Sequence, residues 1–178
     1  TPSQATRICG CAPARKAYRV DLGGFASPEQ PISAAVKLEF NAGGGEAIPM
    51  PAGTVRFYVR DQQGNPKFIG ENEIGHTPAG SDLSIQTGQA FDVTLTPTVV
   101  TTDKRSTTKT RYGMSYVVRN PRPEPVVVQV RQGGLGRDGK LIEESLPSKR
   151  LNAQTLQWDV PVPANGETTL TFTVDSGY

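Results

Sequence analysis

The sequence is poor in the residue types that most often carry catalysis or bind metal ions. It has one histidine, two cysteines and one tryptophan in 178 residues. A structural zinc site needs four ligands, which usually come from Cys and His, and a single histidine does not readily complete such a set. We therefore expect no catalytic residues, no metal and no cofactor, and we predict that the chain is not an enzyme.

The sequence also lacks a large excess of either charge and any long apolar run. Its 19 basic and 17 acidic residues are interspersed and leave a formal net charge of +2. Proteins that bind nucleic acids usually carry a basic patch or stripe, so no nucleic-acid partner is predicted. A membrane helix needs about 18 or more apolar residues in a row, and no stretch approaches that length, so no membrane insertion is predicted.

The two cysteines, Cys9 and Cys11, are separated by one glycine. Residues two apart in an extended chain point the same way, but so small a ring strains the geometry of a disulfide. Bonds to a neighbouring chain, two free thiols, and a pair of thiols without a role all remain open. Cys9 and Cys11 are therefore candidates for an intermolecular disulfide.

Apolar and polar residues alternate along most of the chain, which is typical of strands with one buried face. Turn residues separate these segments, and no stretch shows a convincing helical period. We predict an all-β chain built around an immunoglobulin-like antiparallel β-sandwich, with Phe91 and Trp158 in its core. The alternating segments are residues 36–40, 55–59, 83–86, 91–95, 114–118, 126–130, 156–160 and 170–174.

The first 31 residues hold little alternating pattern and cannot form a core by themselves. We predict an extended N-terminal arm over residues 1–31, a β-rich unit over residues 32–92 that packs on the sandwich, and the immunoglobulin-like sandwich over residues 93–178. Because terminal segments are ordered only when something holds them, we expect the arm to dock on its own body or on an adjacent subunit.

Two motifs that could carry chemistry have a simpler structural interpretation. His76 would have to be the base of any Ser-His-Asp or Cys-His system, and no Gly-x-Ser-x-Gly segment accompanies it. Gly134–Gly139 matches the dinucleotide pattern G-x-G-x-x-G, but that site needs a helix after the glycines, and Pro147 interrupts the segment where that helix would lie. We predict a surface or turn histidine and a hairpin loop.

Two pairs of carboxylates are candidates for acid–base chemistry. Glu143 and Glu144 are adjacent, so on a strand they point to opposite faces and cannot readily share a substrate. Glu71 and Glu73 share a face, but a solvated edge accounts for them because no cleft is predicted there. The pattern also predicts no exposed aromatic rings of the kind that a carbohydrate platform needs.

Three stretches, in this order, resemble one protein family. They are Pro51–Tyr58, then His76–Pro78 with Gly88–Val93, then Trp158–Glu167. The order is similar to that in the uncharacterised C-terminal β domain of mucoidy-inhibitor-A-like bacterial envelope proteins, over residues 30–178. The resemblance implies a β-rich domain of a longer envelope-associated protein and supplies no catalytic residues. Since the first residue is Thr1 rather than Met, we expect a processed product or a fragment.

These observations predict a non-enzymatic structural module of an exported bacterial protein, secreted or located in the cell envelope. We expect it to self-associate, into filaments where the contact does not close, through its N-terminal arm and its sheet edges. The expected partner is a second copy or another envelope protein. The alternative is a binding module that presents loops such as Gly133–Lys140 to an envelope partner or a ligand.

Overall fold

The computed structural model describes residues 14–42 and 49–177, which form strands, turns and loops. This confirms the predicted all-β class. The described residues contain no helix with the length and apolarity to cross a membrane. The strands are β1 (Arg15–Leu22), β2 (Ile32–Asn41), β3 (Gly53–Arg60), β4 (Pro66–Ile74), β5 (Asp82–Lys104), β6 (Lys109–Asn120), β7 (Val126–Gln132), β8 (Lys140–Glu144), β9 (Ser148–Asn152), β10 (Thr155–Val162) and β11 (Gly166–Gly177).

Nine strands form one sheet in the order β8-β11-β6-β5-β2-β1-β7-β10-β9, and β3 pairs with β4 in a separate two-stranded sheet. The pairs β5–β6, β6–β11, β8–β11, β7–β10 and β9–β10 are antiparallel. Strand β1 instead runs parallel to β7, with Val20 opposite Val130. The large sheet is therefore mixed, which corrects the prediction of a purely antiparallel one. A parallel pair needs a long crossover, and the whole chain between β1 and β7 supplies it.

Contacts divide the chain into two compact units. Among the described residues, the first unit comprises 14–16, 37–42 and 49–87, and the second comprises 17–36 and 88–177. These boundaries differ from the predicted ones after residues 31 and 92. The difference arises because β2 and β5 are long strands that each continue from one unit into the other.

Strand β1 also corrects part of the prediction for the N-terminal arm. Residues 15–22 lie in the interior of the large sheet, between β2 and β7. Ala17, Tyr18 and Val20 are buried there, so this stretch contributes to the core instead of extending from it. The residues of the predicted arm that lie outside the described part are 1–13.

The hydrophobic core lies in the second unit, where the large sheet folds back on itself. Trp158 on β10 stacks on Phe172 on β11, and Phe172 meets Tyr116 on β6 edge to face, with ring centroids 4.5 and 5.0 Å apart. Strands β10 and β11 are not neighbours in the sheet, so the contact between Trp158 and Phe172 joins two layers. Phe172 and Tyr116 lie on the paired strands β11 and β6. Burying one such side chain contributes about 1.5–3 kcal/mol. The prediction of Trp158 as a core residue is confirmed.

Phe91 is 77% exposed, so its predicted place in the core is wrong. Ala90 and Val93 are both buried, while Phe91 and Asp92 between them are both exposed. The alternation along β5 therefore shifts by one residue at this point, as it does where a strand is irregular or bulged. The Asp92 carboxylate accepts a hydrogen bond from the Val93 amide at 3.2 Å within this irregularity.

The large sheet ends at β8 on one side and at β9 on the other. Each of these strands has five residues, and residues 145–147 join them. The indole nitrogen of Trp158 on β10 donates a hydrogen bond to the Glu144 carboxylate on β8 at 2.9 Å. The two ends of the sheet therefore lie next to each other.

Candidate interaction surface

Strands β3 and β4 form a hairpin in the first unit, and each has only the other as a partner among the described residues. Its turn follows from local chemistry. Asp61 accepts hydrogen bonds from the amides of Gln63 and Asn65 at 2.9 and 2.8 Å, as acidic turn residues commonly do. Gly64 adopts a φ of 85°, which glycine reaches without steric cost. Each strand of the hairpin keeps one outer edge.

One face of this hairpin carries exposed aromatic rings. Tyr58 on β3 lies opposite Phe68 on β4, and their rings meet edge to face with centroids 5.7 Å apart. Their exposed fractions are 56% and 52%. The expectation that the chain exposes no aromatic rings is therefore wrong at this hairpin. Large apolar side chains exposed together commonly mark an interaction site.

The two outer edges of the hairpin differ in how open they are. Strand β4 begins with Pro66, which has no amide proton, and Ile69 is an extra residue because Tyr58 pairs with Phe68 while Phe57 pairs with Gly70. Prolines and bulges are devices that block pairing at a sheet edge. Strand β3 contains no proline, and the extra residue of the pair is not on its side. Of the two edges, β3 is the open one.

The carboxylates of this hairpin form no acid–base pair. Glu71 accepts a hydrogen bond from Arg56 on β3 at 3.0 Å, and both side chains are exposed. Glu73 lies opposite Thr54 and is also exposed. The prediction of a solvated position for Glu71 and Glu73 is confirmed.

His76 is an exposed residue in the loop after β4, as the prediction of a surface histidine requires. Its Nδ1 accepts a hydrogen bond from the Ala52 amide at 3.4 Å. Next to it, Thr77 pairs with Met50 through two backbone hydrogen bonds of 2.9 Å. Across the described ranges, no group of three or more His, Cys, Asp or Glu side chains is placed to hold a metal ion.

Residues 133–139 form a loop between β7 and β8, and no helix begins after its glycines. Strands β7 and β8 are not neighbours in the sheet, so the prediction of a hairpin loop is wrong. Leu135 is fully buried, and its carbonyl oxygen accepts a hydrogen bond from the Gly177 amide at 3.0 Å. A Cβ atom at Gly136, where φ is 77°, would lie 1.7 Å from the Gly177 oxygen. The glycines of this segment therefore permit close packing of backbone on backbone.

Glu143 and Glu144 point in different directions, as predicted. The Glu144 carboxylate accepts hydrogen bonds from the indole nitrogen of Trp158 at 2.9 Å and from the Ser148 amide at 3.2 Å. Glu143 is exposed and lies opposite Thr173 on β11. Glu144 thus holds the ends of the large sheet together, and the two carboxylates do not converge.

A polar cluster around Arg122, in the second unit, was not predicted from the sequence. The guanidinium of Arg122 donates to both oxygens of the Asp92 carboxylate, at 2.6 and 2.8 Å. It also donates to the Tyr18 hydroxyl and lies 5.1 Å from the centroid of the Tyr18 ring. The hydrogen bonds from Arg122 lower the pKa of Asp92. The cluster joins three distant segments, and its hydrogen-bonding groups are occupied by one another, so it acts as a structural clamp.

The loop that carries Arg122 is itself held in place by Asn120. The Asn120 side-chain amide donates to the carbonyl oxygens of Glu124 and Pro163 at 2.8 and 3.1 Å, and its side-chain oxygen accepts from the Arg122 amide at 3.1 Å. Asn120 is buried, where leaving such groups unpaired would cost about 1–3 kcal/mol. The loop therefore presents Arg122 in a fixed position.

Cys9 and Cys11 lie outside the described residues, so their pairing stays a prediction. No family model, no curated protein and no solved structure matches the chain.

Proposed function

We propose that this chain is a non-enzymatic structural module that associates with a second copy through an open sheet edge, as part of a secreted or envelope protein of a bacterium. The observation that supports this most directly is the β3–β4 hairpin. Its β3 edge has no partner strand in the described part of the chain, and Tyr58 and Phe68 are exposed beside it. A two-stranded hairpin is marginally stable alone, and added strands stabilise it.

Pairing at an edge would use the backbone of β3 as its main source of affinity. Each hydrogen bond formed contributes about 0.5–1.5 kcal/mol net, while the side chains at alternate positions decide the register. An interface of one strand on one strand belongs to the small class, below about 1,200 Å². The proposed association therefore depends on protein concentration.

The N-terminal arm contributes less to this proposal than the sequence predicted. Strand β1 already occupies an interior position in the large sheet, so residues 15–22 are not free to add to a neighbour. Residues 1–13 stay in the proposal through Cys9 and Cys11, which could link copies by a disulfide. The predicted filaments would need a second contact surface besides the open edge, because a head-to-tail contact joins two different surfaces and continues when its rotation does not close.

The family and the finer fold remain parts of the same proposal. Three sequence stretches support a relationship to the C-terminal domain of mucoidy-inhibitor-A-like envelope proteins, and this relationship in turn supports the bacterial envelope location. The two-layer core around Trp158 and Phe172 supports an immunoglobulin-like arrangement in the second unit, with β1 as an added parallel strand.

A module that presents the Gly133–Lys140 loop to a ligand is the alternative function. The burial of Leu135 and the close packing of Gly136 on Gly177 argue against a loop that adapts to a partner. The loop residues with exposed side chains are Arg137, Asp138 and Lys140. This surface is smaller and less apolar than that of the hairpin, so self-association is the better-supported function.

Analytical ultracentrifugation across a wide range of protein concentrations tests the proposal. We expect the weight-average mass to rise with concentration, both with and without a reducing agent. A rise confined to non-reducing conditions would assign association to Cys9 and Cys11 instead of the sheet edge. A monomer at every concentration under both conditions would contradict self-association.

The N-terminal contribution needs a deletion that leaves the sheet intact. Removing residues 1–30 would remove β1 from the interior of the large sheet, so loss of assembly would be uninterpretable. Removing residues 1–13 avoids this, and we expect the shortened chain to associate under reducing conditions as the full chain does.

A further inference from the structure

We infer that the association pairs β3 with β3 of a second copy, antiparallel, about a twofold axis that passes through Phe57. This inference rests on the proposed function and specifies its partner and register. Pro66 and the extra residue Ile69 obstruct the outer edge of β4, whereas β3 has no proline and no extra residue and pairs only with β4 in the part of the chain that the structure describes. Joining the two open edges gives a four-stranded sheet in the order β4-β3-β3-β4, with an obstructed edge at each end.

The charges on β3 disfavour the two registers next to the one proposed. Residues directly opposite each other in an antiparallel pair lie on the same face of the sheet. The twofold axis must therefore pass level with a residue of β3, and the possible registers differ in which residue that is. An axis at Arg56 places Arg56 opposite Arg56, and an axis at Tyr58 places Arg56 opposite Arg60. Like charges directly opposite each other destabilise a strand pair. Both neighbouring registers are therefore unfavourable.

An axis at Phe57 instead places Arg56 of each copy opposite Tyr58 of the other. Symmetry creates this contact twice, and a guanidinium beside an aromatic ring is a favourable pair. Arg60 then lies opposite Thr54, which carries no charge. In this register no arginine of β3 faces another arginine.

The surrounding charge and shape are compatible with a second copy. The hairpin, residues 53–74, has three basic and three acidic side chains, so two hairpins carry no net charge that would separate them. In this register the exposed rings of Tyr58 and Phe68 would lie in one row with Arg56 and Glu71 of the other copy, and symmetry would create this row twice. The six charged residues are Arg56, Arg60, Lys67, Asp61, Glu71 and Glu73.

The sign of a charge introduced at residue 58 tests this register. In the full chain under reducing conditions, Tyr58→Arg would place a second guanidinium opposite Arg56 of the other copy, and Tyr58→Glu would place a carboxylate there. Both variants lose the same exposed ring, so only the register makes them differ. We expect the dissociation constant of Tyr58→Arg to exceed that of Tyr58→Glu by about tenfold, because symmetry counts each contact twice.

Phe68→Arg and Phe68→Glu serve as matched controls. Phe68 lies on the same face as Tyr58, but β3 separates it from the second copy. We expect this pair to change the dissociation constant equally, and circular dichroism establishes that all four variants are folded. If the wild type associates but the two Tyr58 variants change the dissociation constant equally, the register is wrong while self-association stands. If the wild type stays monomeric throughout, both the inference and the proposed function are overturned.

Discussion

Trp158 lies nearly parallel to Phe172, with ring centroids 4.5 Å apart and an angle of 27° between the ring planes. The two rings belong to β10 and β11, and five strands lie between these in the order of the large sheet. Their contact is therefore made across the interior and not along the sheet. Phe172 also contacts Tyr116, so one side chain holds rings from three strands.

Replacing Phe172 with alanine should destabilise the protein by about 3–5 kcal/mol, the usual cost of removing a buried aromatic ring. The reason is the cavity left between Trp158 and Tyr116. Urea unfolding followed by tryptophan fluorescence measures the change, since the only tryptophan reports on this site. Phe91→Ala is the control, because Phe91 is largely exposed and should change stability by no more than about 0.5 kcal/mol. Equal losses in the two variants would contradict the core position of Phe172.

Gly136→Ala should destabilise the protein by about 3 kcal/mol or more, because the added Cβ atom is strained at a positive φ and collides with the Gly177 carbonyl oxygen. Gly64→Ala provides a matched comparison. Gly64 also has a positive φ, yet a Cβ atom there meets nothing within 4 Å, so about 1–2 kcal/mol is expected from strain alone. Chemical denaturation of both variants separates the two contributions. A smaller loss for Gly136→Ala would show that the loop relaxes away from β11.

Arg122→Ala should raise the pKa of Asp92 towards its ordinary value and lower stability by about 1–2 kcal/mol, a range reduced to allow for the partial exposure of the pair. NMR titration of the Asp92 carboxyl group measures the first effect, and thermal unfolding measures the second. Arg119→Ala is the control, since the Arg119–Glu167 pair is exposed on both sides and should contribute less than about 1 kcal/mol. An unchanged Asp92 pKa in Arg122→Ala would contradict the clamp.

Stability should fall in acid through Asp92 and Asp175. Hydrogen bonds from Arg122 lower the pKa of Asp92, and hydrogen bonds from Arg111 lower the pKa of Asp175, below the ordinary value of 3.8. A carboxyl group with a lowered folded-state pKa stabilises the protein above its unfolded-state value. The stabilisation by each carboxylate is lost progressively as the pH falls below its ordinary pKa of 3.8 and then through its lowered pKa in the folded protein.

Asp175→Asn makes this pH dependence measurable. The variant should be less stable than the wild type at neutral pH, and its free energy of unfolding should fall less between pH values just above and well below 3.8. Urea unfolding at a series of pH values provides the comparison. Parallel pH profiles for the variant and the wild type would show that the Arg111–Asp175 pair contributes nothing to acid sensitivity.

The alternation of apolar and polar residues predicted many of the strands. It did not predict which side chains are buried in every strand, or which strands pair. Trp158 is buried as its pattern indicated, whereas Phe91 is exposed because the phase of β5 shifts between Ala90 and Val93. A shift of this kind cannot be recognised from the order of apolar and polar residues alone. Strand β1 was not predicted, because only Tyr18, Val20 and Leu22 alternate there and its partner β7 lies more than a hundred residues along the chain. Pairing over that distance is set by tertiary structure.

The candidate interaction surface was not predicted, although one sign of it was present in the sequence. Tyr58 occupies a polar position in the alternating pattern of β3, which indicates exposure, and its position opposite Phe68 follows from the turn between the strands. The extra residue Ile69 could not be predicted, because a bulge depends on local twist and packing. The Arg122 cluster was equally hidden, since its partners Asp92 and Tyr18 lie 30 and 104 residues away.

Strands β8 and β9, the outermost strands of the large sheet, are short and are joined by residues 145–147. Strands this short offer another molecule few backbone amides and carbonyls for pairing at either edge. Residues 145–147, which connect the two strands, also limit access to these edges. The large sheet is therefore poorly suited to extension by added strands. If the chain associates by strand addition as proposed, the smaller sheet is where that addition, and misassembly by the same route, would take place.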